Sequence, residues 1–362
     1  MKKLKTVVAL SAASAAGVLL IGSQSVAQAP ATAPAQTPNP GPAPVEPGAI
    51  AYRRAQTDAR RDTPTLTPTN RGQAISRGVQ VQQPEPFDAV ATLDAIPTKA
   101  PATPKKPRKV FVYAVAKGWV HSSIPITAFT VDQIGKQTGA WSTRISFNES
   151  DFTAETLAQY DVLVLDNTTG SFLDNPDDPE GTAARRKALL DFVRGGKGLV
   201  LTHAGTDSYH RGGQSLWPEY NKMIGGHFKF HWLTPQKVTL KIDDPKSPLT
   251  AAFGGQPFSV HDEIYTYSQD DANNRKNLHV LYSIDYSKMD QADKNVEPAN
   301  GKRTDGDYML SWVRKEGQGR VFVQALGHNE HIWSNEKILQ AFTAGMQYAA
   351  GDLTVDDSPS EK

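Results

Sequence analysis

Asp161-Val162-Leu163-Val164-Leu165-Asp166 sets an unbroken aliphatic run between two carboxylates. A run this short and this continuously apolar has no face to give to water. It therefore reads as a strand covered on both sides, as in the middle of an α/β sheet. Outward from it the signal repeats. Residues 110–115, 199–202 and 319–326 are similar buried runs, and residues 143–147 suit another strand. Helical stretches lie between them. Residues 125–138 end at Gly139, residues 153–159 have Thr153 as N-cap, and residues 181–194 are stopped by Gly195-Gly196. Strands spaced by helices imply βαβ units, a mostly parallel sheet and right-handed crossovers. Residues 236–283 break into shorter alternating segments, such as 237–242, and are expected to add antiparallel strands at the sheet edge.

The rest of the chain bounds this domain. Residues 1–29 read as an export signal: Lys2, Lys3 and Lys5, an apolar run over residues 7–21, then Ala27-Gln28-Ala29 as a cleavage site. The run is short for a membrane span of ~20 residues, so a periplasmic or secreted product with no membrane span after cleavage is expected. Residues 30–108 are rich in Pro and Ala and read as a linker, largely disordered, that cannot bury enough surface to offset its ordering entropy. The cluster Lys105, Lys106, Arg108, Lys109 reads as a solvated lead-in to the first strand, and residues 353–362 as a disordered acidic tail. The folded domain is thus expected over residues 109–352. With 39 Lys+Arg against 38 Asp+Glu the chain lacks the basic excess of a nucleic-acid binder. It has 0 cysteines, which excludes disulfides, thiolate metal sites and a cysteine nucleophile. Self-association is compatible with all of this.

In open α/β sheets ligands bind beyond the carboxyl ends of the strands. Trp119-Val120-His121, Asp166-Asn167-Thr168-Thr169-Gly170, His203-Ala204-Gly205-Thr206-Asp207 and Gly327-His328-Asn329 all follow such ends. His121, His203, His231 and His328 with Glu263 and Asp207 are therefore candidates for one polar pocket. The histidines would either ligate a divalent metal, zinc or manganese, with Glu263 as an oxygen ligand, or act as general acid and base. On an extended chain His227 and His231 lie about 13 Å apart, too far to share an ion. Trp119, Trp217 and Tyr265 are candidates to stack on sugar rings, with core packing as the alternative. His210, His261 and His279 read as surface or structural.

A resemblance sharpens this. Gly196-Lys197-Gly198-Leu199-Val200-Leu201-Thr202-His203-Ala204, Trp217-Pro218-Glu219-Tyr220, Ile224-Gly225-Gly226-His227-Phe228 with His231 beyond, Asp262-Glu263-Ile264-Tyr265, and Gly317-Gln318-Gly319-Arg320-Val321-Phe322 leading to Leu326-Gly327-His328 resemble, in consistent order, the ThuA-like (trehalose-utilisation) family. The resemblance implies a flavodoxin-like, class I glutamine amidotransferase-like three-layer sandwich. Those amidotransferases carry a cysteine on the turn after a buried strand; here that turn is His203-Ala204-Gly205, so cysteine-dependent glutamine hydrolysis is ruled out. It further implies a carbohydrate-active enzyme taking a disaccharide or keto-sugar by lyase, isomerase or hydrolase chemistry. In it His203, His328, Glu263 and Asp207 would be catalytic, and Trp119, His121, Tyr265 and Trp217 would bind substrate. His121, His203, His231, Glu263 and His328 would hold a metal. A non-catalytic sugar-binding module, or a partner of a sugar oxidoreductase, is the alternative.

Overall fold

The computed structural model describes residues 82–232, 236–269, 272–299 and 301–361. The export signal and the linker up to residue 81 lie outside the described residues. In chain order the main elements are α1 (Pro86–Ala95), β1 (Lys109–Tyr113), α2 (Ile124–Thr138), β2 (Ser142–Ser146), α3 (Ala154–Leu157), β3 (Val162–Asp166), α4 (Pro179–Arg194) and β4 (Gly198–Thr202). A small hairpin, β5 (His210–Arg211) and β6 (Gln214–Ser215), precedes α5 (Pro218–Ile224), β7 (Phe228–His231), β8 (Gln236–Ile242), β9 (Phe258–Asp262) and β10 (Tyr265–Tyr267). The chain finishes with β11 (His279–Ile284), α6 (Gln291–Val296), β12 (Met309–Glu316), β13 (Gly319–Gln324) and α7 (Glu336–Ala350).

Local chemistry sets the boundaries. The Thr153 hydroxyl accepts from the Thr156 amide at 3.1 Å and starts α3. The Asp178 carboxylate caps α4 by accepting from Gly181 N at 2.8 Å. Gly139, at φ +68°, ends α2 in the left-handed conformation that a side chain disfavours. Every residue of β3 and β4 is buried, as their aliphatic runs require.

The sheet has the order β2-β1-β3-β4-β13-β12-β11-β8-β9. The first five strands are mutually parallel and take the flavodoxin order; the remaining four run antiparallel. This is the mixed α/β, class I glutamine amidotransferase-like fold. The antiparallel part extends beyond residues 236–283, because β12 joins it. Thr202 stands level with both Asp166 and Gln324 across the ladder, so the loops after β3, β4 and β13 leave the sheet side by side. That register is what brings distant histidines together.

The domain is larger than residues 109–352. Within the expected linker, α1 buries Asp88, Thr92 and Ala95 and packs on α2 and on the turn Glu330–Ser334. The Gln347 amide of α7 then exchanges two hydrogen bonds with the Ala102 backbone, at 2.8 and 2.5 Å. Nor is the basic lead-in simply solvated: Arg108 forks onto Asp352 and Lys106 reaches Asp161 at 2.7 Å. The acidic tail is likewise held, with Ser360 N donating to Leu278 O at 3.0 Å and the His279 ring to Ser358 O at 2.7 Å. Both segments gain their order from backbone and ion-pair contacts to the domain, which composition does not reveal. Among the described residues no helix is long and apolar enough to cross a membrane.

Candidate functional site

Four loops converge at the carboxyl end of the sheet. His121 comes from the loop after β1, His203 from the residue after β4, Glu263 from the residue after β9, and His328 from the turn after β13. All four side chains are buried, and one ligand atom from each lies within 4.8 Å of the others. The three imidazoles have centroids 4.9–5.2 Å apart and stand nearly perpendicular to one another, at 81–87°. Each turns a nitrogen toward one oxygen, Glu263 Oε2: His328 Nδ1 at 3.0 Å, His203 Nε2 at 3.3 Å and His121 Nε2 at 4.0 Å.

The tautomer of His203 makes this arrangement informative. Its Nδ1 lies 2.9 Å from the Ala325 carbonyl, which can only accept, so Nδ1 carries the proton. A neutral His203 then presents a bare Nε2 lone pair to a carboxylate oxygen. Two acceptors in contact require a cation between or beside them, either a second proton or a metal ion. Tetrahedral zinc ligands at 2.0–2.1 Å from the ion are about 3.3 Å from one another. The Glu263 distances bracket that value, and the Ala325 carbonyl takes the Nδ1 proton, the outward hydrogen bond that orients a ligating imidazole. The residues present therefore fit a divalent ion held by N₃O donors.

Electrostatics of the cluster are divided. Burial pushes His121 down to about 3, against the pull of Glu263. Burial also disfavours charge on His203, but the hydrogen bond and negative charge of Glu263 outweigh it and raise His203 above its ordinary value. Burial would raise Glu263; the surrounding histidines overcome it and hold the carboxyl well below the usual range. Glu263 is thus an anion inside the protein, stabilised by the imidazoles around it.

Around the cluster is a cavity of about 320 Å³ lined by Trp119, His121, Asp207, Phe228, His231, Glu263 and Tyr265. Trp119 stands half exposed at its mouth, and the Tyr265 ring packs 4.1 Å from that of His203. Asp207 faces the cavity while its Oδ1 bonds His210 Nε2, so it is a wall residue and no part of the four-residue cluster. Two expectations need correction. His231 does not join the cluster: it sits half exposed beside the other oxygen, Glu263 Oε1, at 3.4 Å, because β7 pairs with β10 outside the main sheet. Trp217 is a core residue, buried between Tyr209, Tyr220 and the Arg186 guanidinium, and does not line the cavity.

Sequence reasoning passed over three residues. Asp262, within the Asp-Glu-x-Tyr signature, accepts from Gly327 N at 2.6 Å, Asn329 N at 2.9 Å and Asn329 Nδ2 at 3.0 Å, and so ties the His328 turn to the Glu263 segment. Phe228 lines the cavity, and His210 holds Asp207. Asp262 and Phe228 stand inside motifs that the sequence singles out, and His210 reads from sequence as surface or structural.

Comparison with known proteins bears on the fold and the family. A ThuA-like protein of Bacteroides uniformis superposes with a TM-score of 0.52 at 20% identity, over 72% of this chain and 99% of its own. A ThuA-like protein of Parabacteroides merdae gives 0.48 at 19% identity, over 71% and 96%. No curated protein matches the chain. The family model for ThuA, described as trehalose utilisation, matches residues 109–349, the span that carries all four cluster residues, and the chain belongs to that family.

Proposed function

We propose that this chain is an exported carbohydrate-active enzyme whose His121/His203/Glu263/His328 cluster binds a divalent metal, zinc or manganese. Its substrate would be a disaccharide or keto-sugar. The observation that carries the metal reading is the convergence of three buried imidazoles and Glu263, with one ligand atom from each within 4.8 Å of the others and His203 Nδ1 held by Ala325 O so that Nε2 faces the cluster. A bound ion would supply Lewis-acid polarisation of a sugar carbonyl or hydroxyl oxygen.

The chain's own residues supply the rest. Trp119 offers an exposed ring at the mouth for the apolar face of a pyranose. Asp207, oriented by His210, is placed on the cavity wall to accept a proton from a sugar hydroxyl or from carbon next to a carbonyl. Tyr265 and Phe228 keep water from that side. Lyase and isomerase chemistry begin with such a proton transfer, and in a hydrolase the same carboxylate would take the proton from the attacking water. A sugar-binding module, or a partner of a sugar oxidoreductase, would need aromatics and amides but not a buried carboxylate amid three imidazoles, so catalysis is the better reading. Periplasmic or secreted location rests on the signal-like residues 1–29.

The test is elemental mass spectrometry on the purified mature protein beside His203→Ala and His328→Ala. About one zinc or manganese per chain, absent from both variants, is the expected result. A parent that stays metal-free after reconstitution overturns the metal reading. Turnover of a keto-disaccharide by the parent separates catalysis from simple binding.

A further inference from the structure

We infer that Asp166 and Asn167 form a positioning brace, a hydrogen-bonded pair at the end of β3 that holds His203 in a left-handed backbone conformation and so aims its imidazole into the cluster.

The observations start from register. Asp166 and Thr202 are partners across β3 and β4, so Asn167 and His203 are the matching first residues beyond the two strands. Both adopt positive φ, +49° for Asn167 and +35° for His203, a region that non-glycine side chains rarely occupy unless their surroundings impose it. Both are fully buried. The hydrogen bonds show what imposes it. The amide of Asn167 donates to Thr202 Oγ1 at 3.3 Å. Its side-chain Oδ1 accepts from Ala204 N at 3.3 Å, the amide that closes the His203–Ala204 peptide and so fixes ψ of His203. Its Nδ2 donates to Asp166 Oδ1 at 2.9 Å. On the far side Thr206 Oγ1 donates to His203 O at 2.7 Å. Gly205 lets the turn lie against β3, since a Cβ there would come within 2.9 Å of Leu165 O.

The side chain at 167 must accept on one atom and donate on another. An amide does both; a carboxylate of the same shape cannot donate to Asp166 and would put two acid groups side by side. Neither residue lines the cavity, so their effect on the site runs through His203.

The inference rests on the metal reading only for its first assay. In the full mature chain, zinc affinity is measured by competition titration for the parent, Asn167→Asp, His203→Ala and the double variant. Asn167→Asp is expected to bind roughly 10–100-fold more weakly, as for loss of an outer-shell partner. The double variant should be no weaker than His203→Ala alone, because the brace has nothing left to position. Parent-like binding by Asn167→Asp, or losses that multiply in the double variant, overturn the brace. Asp166→Ala, which removes the acceptor of Asn167 Nδ2, should weaken binding in the same direction, and serves if Asn167→Asp does not fold. A parent that binds no zinc removes the metal reading but not this one. Crystal structures of the parent and Asn167→Asp then decide: His203 leaving the left-handed region supports the brace, and unchanged φ with the Ala325 hydrogen bond intact overturns it.

Discussion

Asp262→Asn isolates the link between β9 and the His328 turn. The carboxylate is fully buried and accepts from Gly327 N, Asn329 N and Asn329 Nδ2. An amide of the same shape has one oxygen. Turned to Asn329, it keeps two bonds and sets its own NH₂ against the Gly327 N–H. One hydrogen bond to a charged acceptor is worth about 1.5–3 kcal/mol, and a buried donor left unpaired costs about 1–3 kcal/mol more. Relief of carboxylate desolvation offsets part of this, leaving a loss of about 2–5 kcal/mol. For a domain of this size that is roughly 5–15 °C in Tm, read by differential scanning calorimetry. Metal affinity should fall with it, by roughly 10–100-fold, because His328 leaves the turn that aims it. A variant melting within about 1 °C of the parent and keeping its metal would show that Asp262 does not pin this turn, and the reasoning would fall.

The tryptophans should separate cleanly. Trp119→Ala is expected to leave Tm nearly unchanged and weaken sugar binding, whereas Trp217→Ala should cost about 3–5 kcal/mol of stability; a weakened ligand with normal Tm in Trp217→Ala would contradict its core position. Gly345→Ala gains about 1 kcal/mol in helix propensity, yet a Cβ there falls 2.1 Å from the Phe322 ring, so urea melts should show a net loss of stability. A stabilised Gly345→Ala would mean that α7 can shift off the sheet. Asp161 is part buried, which raises its carboxyl, but Lys106, the Lys109 amide and Lys197 outweigh this and leave it depressed. A depressed folded value stabilises above the unfolded value of about 3.9 and is lost as pH falls through the folded one. The stability gap between parent and Asp161→Asn should therefore close as pH falls below about 4; a constant gap would refute the assignment.

The parallel half of the sheet was legible because strands buried on both faces leave unbroken runs such as Val162-Leu163-Val164-Leu165, and because caps such as Thr153 and Gly139 act locally. Converging loops follow from the rule for strand ends, so His121, His203 and His328 were legible as one group from the sequence. What escaped depends on neighbours far along the chain. α1 is a short helix whose order comes from docking on the Glu330–Ser334 turn, not from its own propensity. An aromatic such as Trp217 carries no local sign of the direction it faces, and Arg186 above its ring is known only once α4 is placed. The contacts of Asn167 with Ala204 N and of His210 with Asp207 depend on distances that only the fold sets.

The docking of α1 has a practical consequence for anyone who isolates this domain. An expression fragment trimmed to the matched span, 109–349, would begin at β1 and stop inside α7. It would discard α1, the Ala102 partner of Gln347 and the Arg108–Asp352 fork in one cut. The face of the Glu330–Ser334 turn that α1 covers would then meet solvent, two residues from His328. Fragments meant to report on metal or sugar binding should keep α1 with its N-cap Glu85 and the tail through Glu361, whose amide bonds Arg275 O, or the trimming itself will be mistaken for a property of the site.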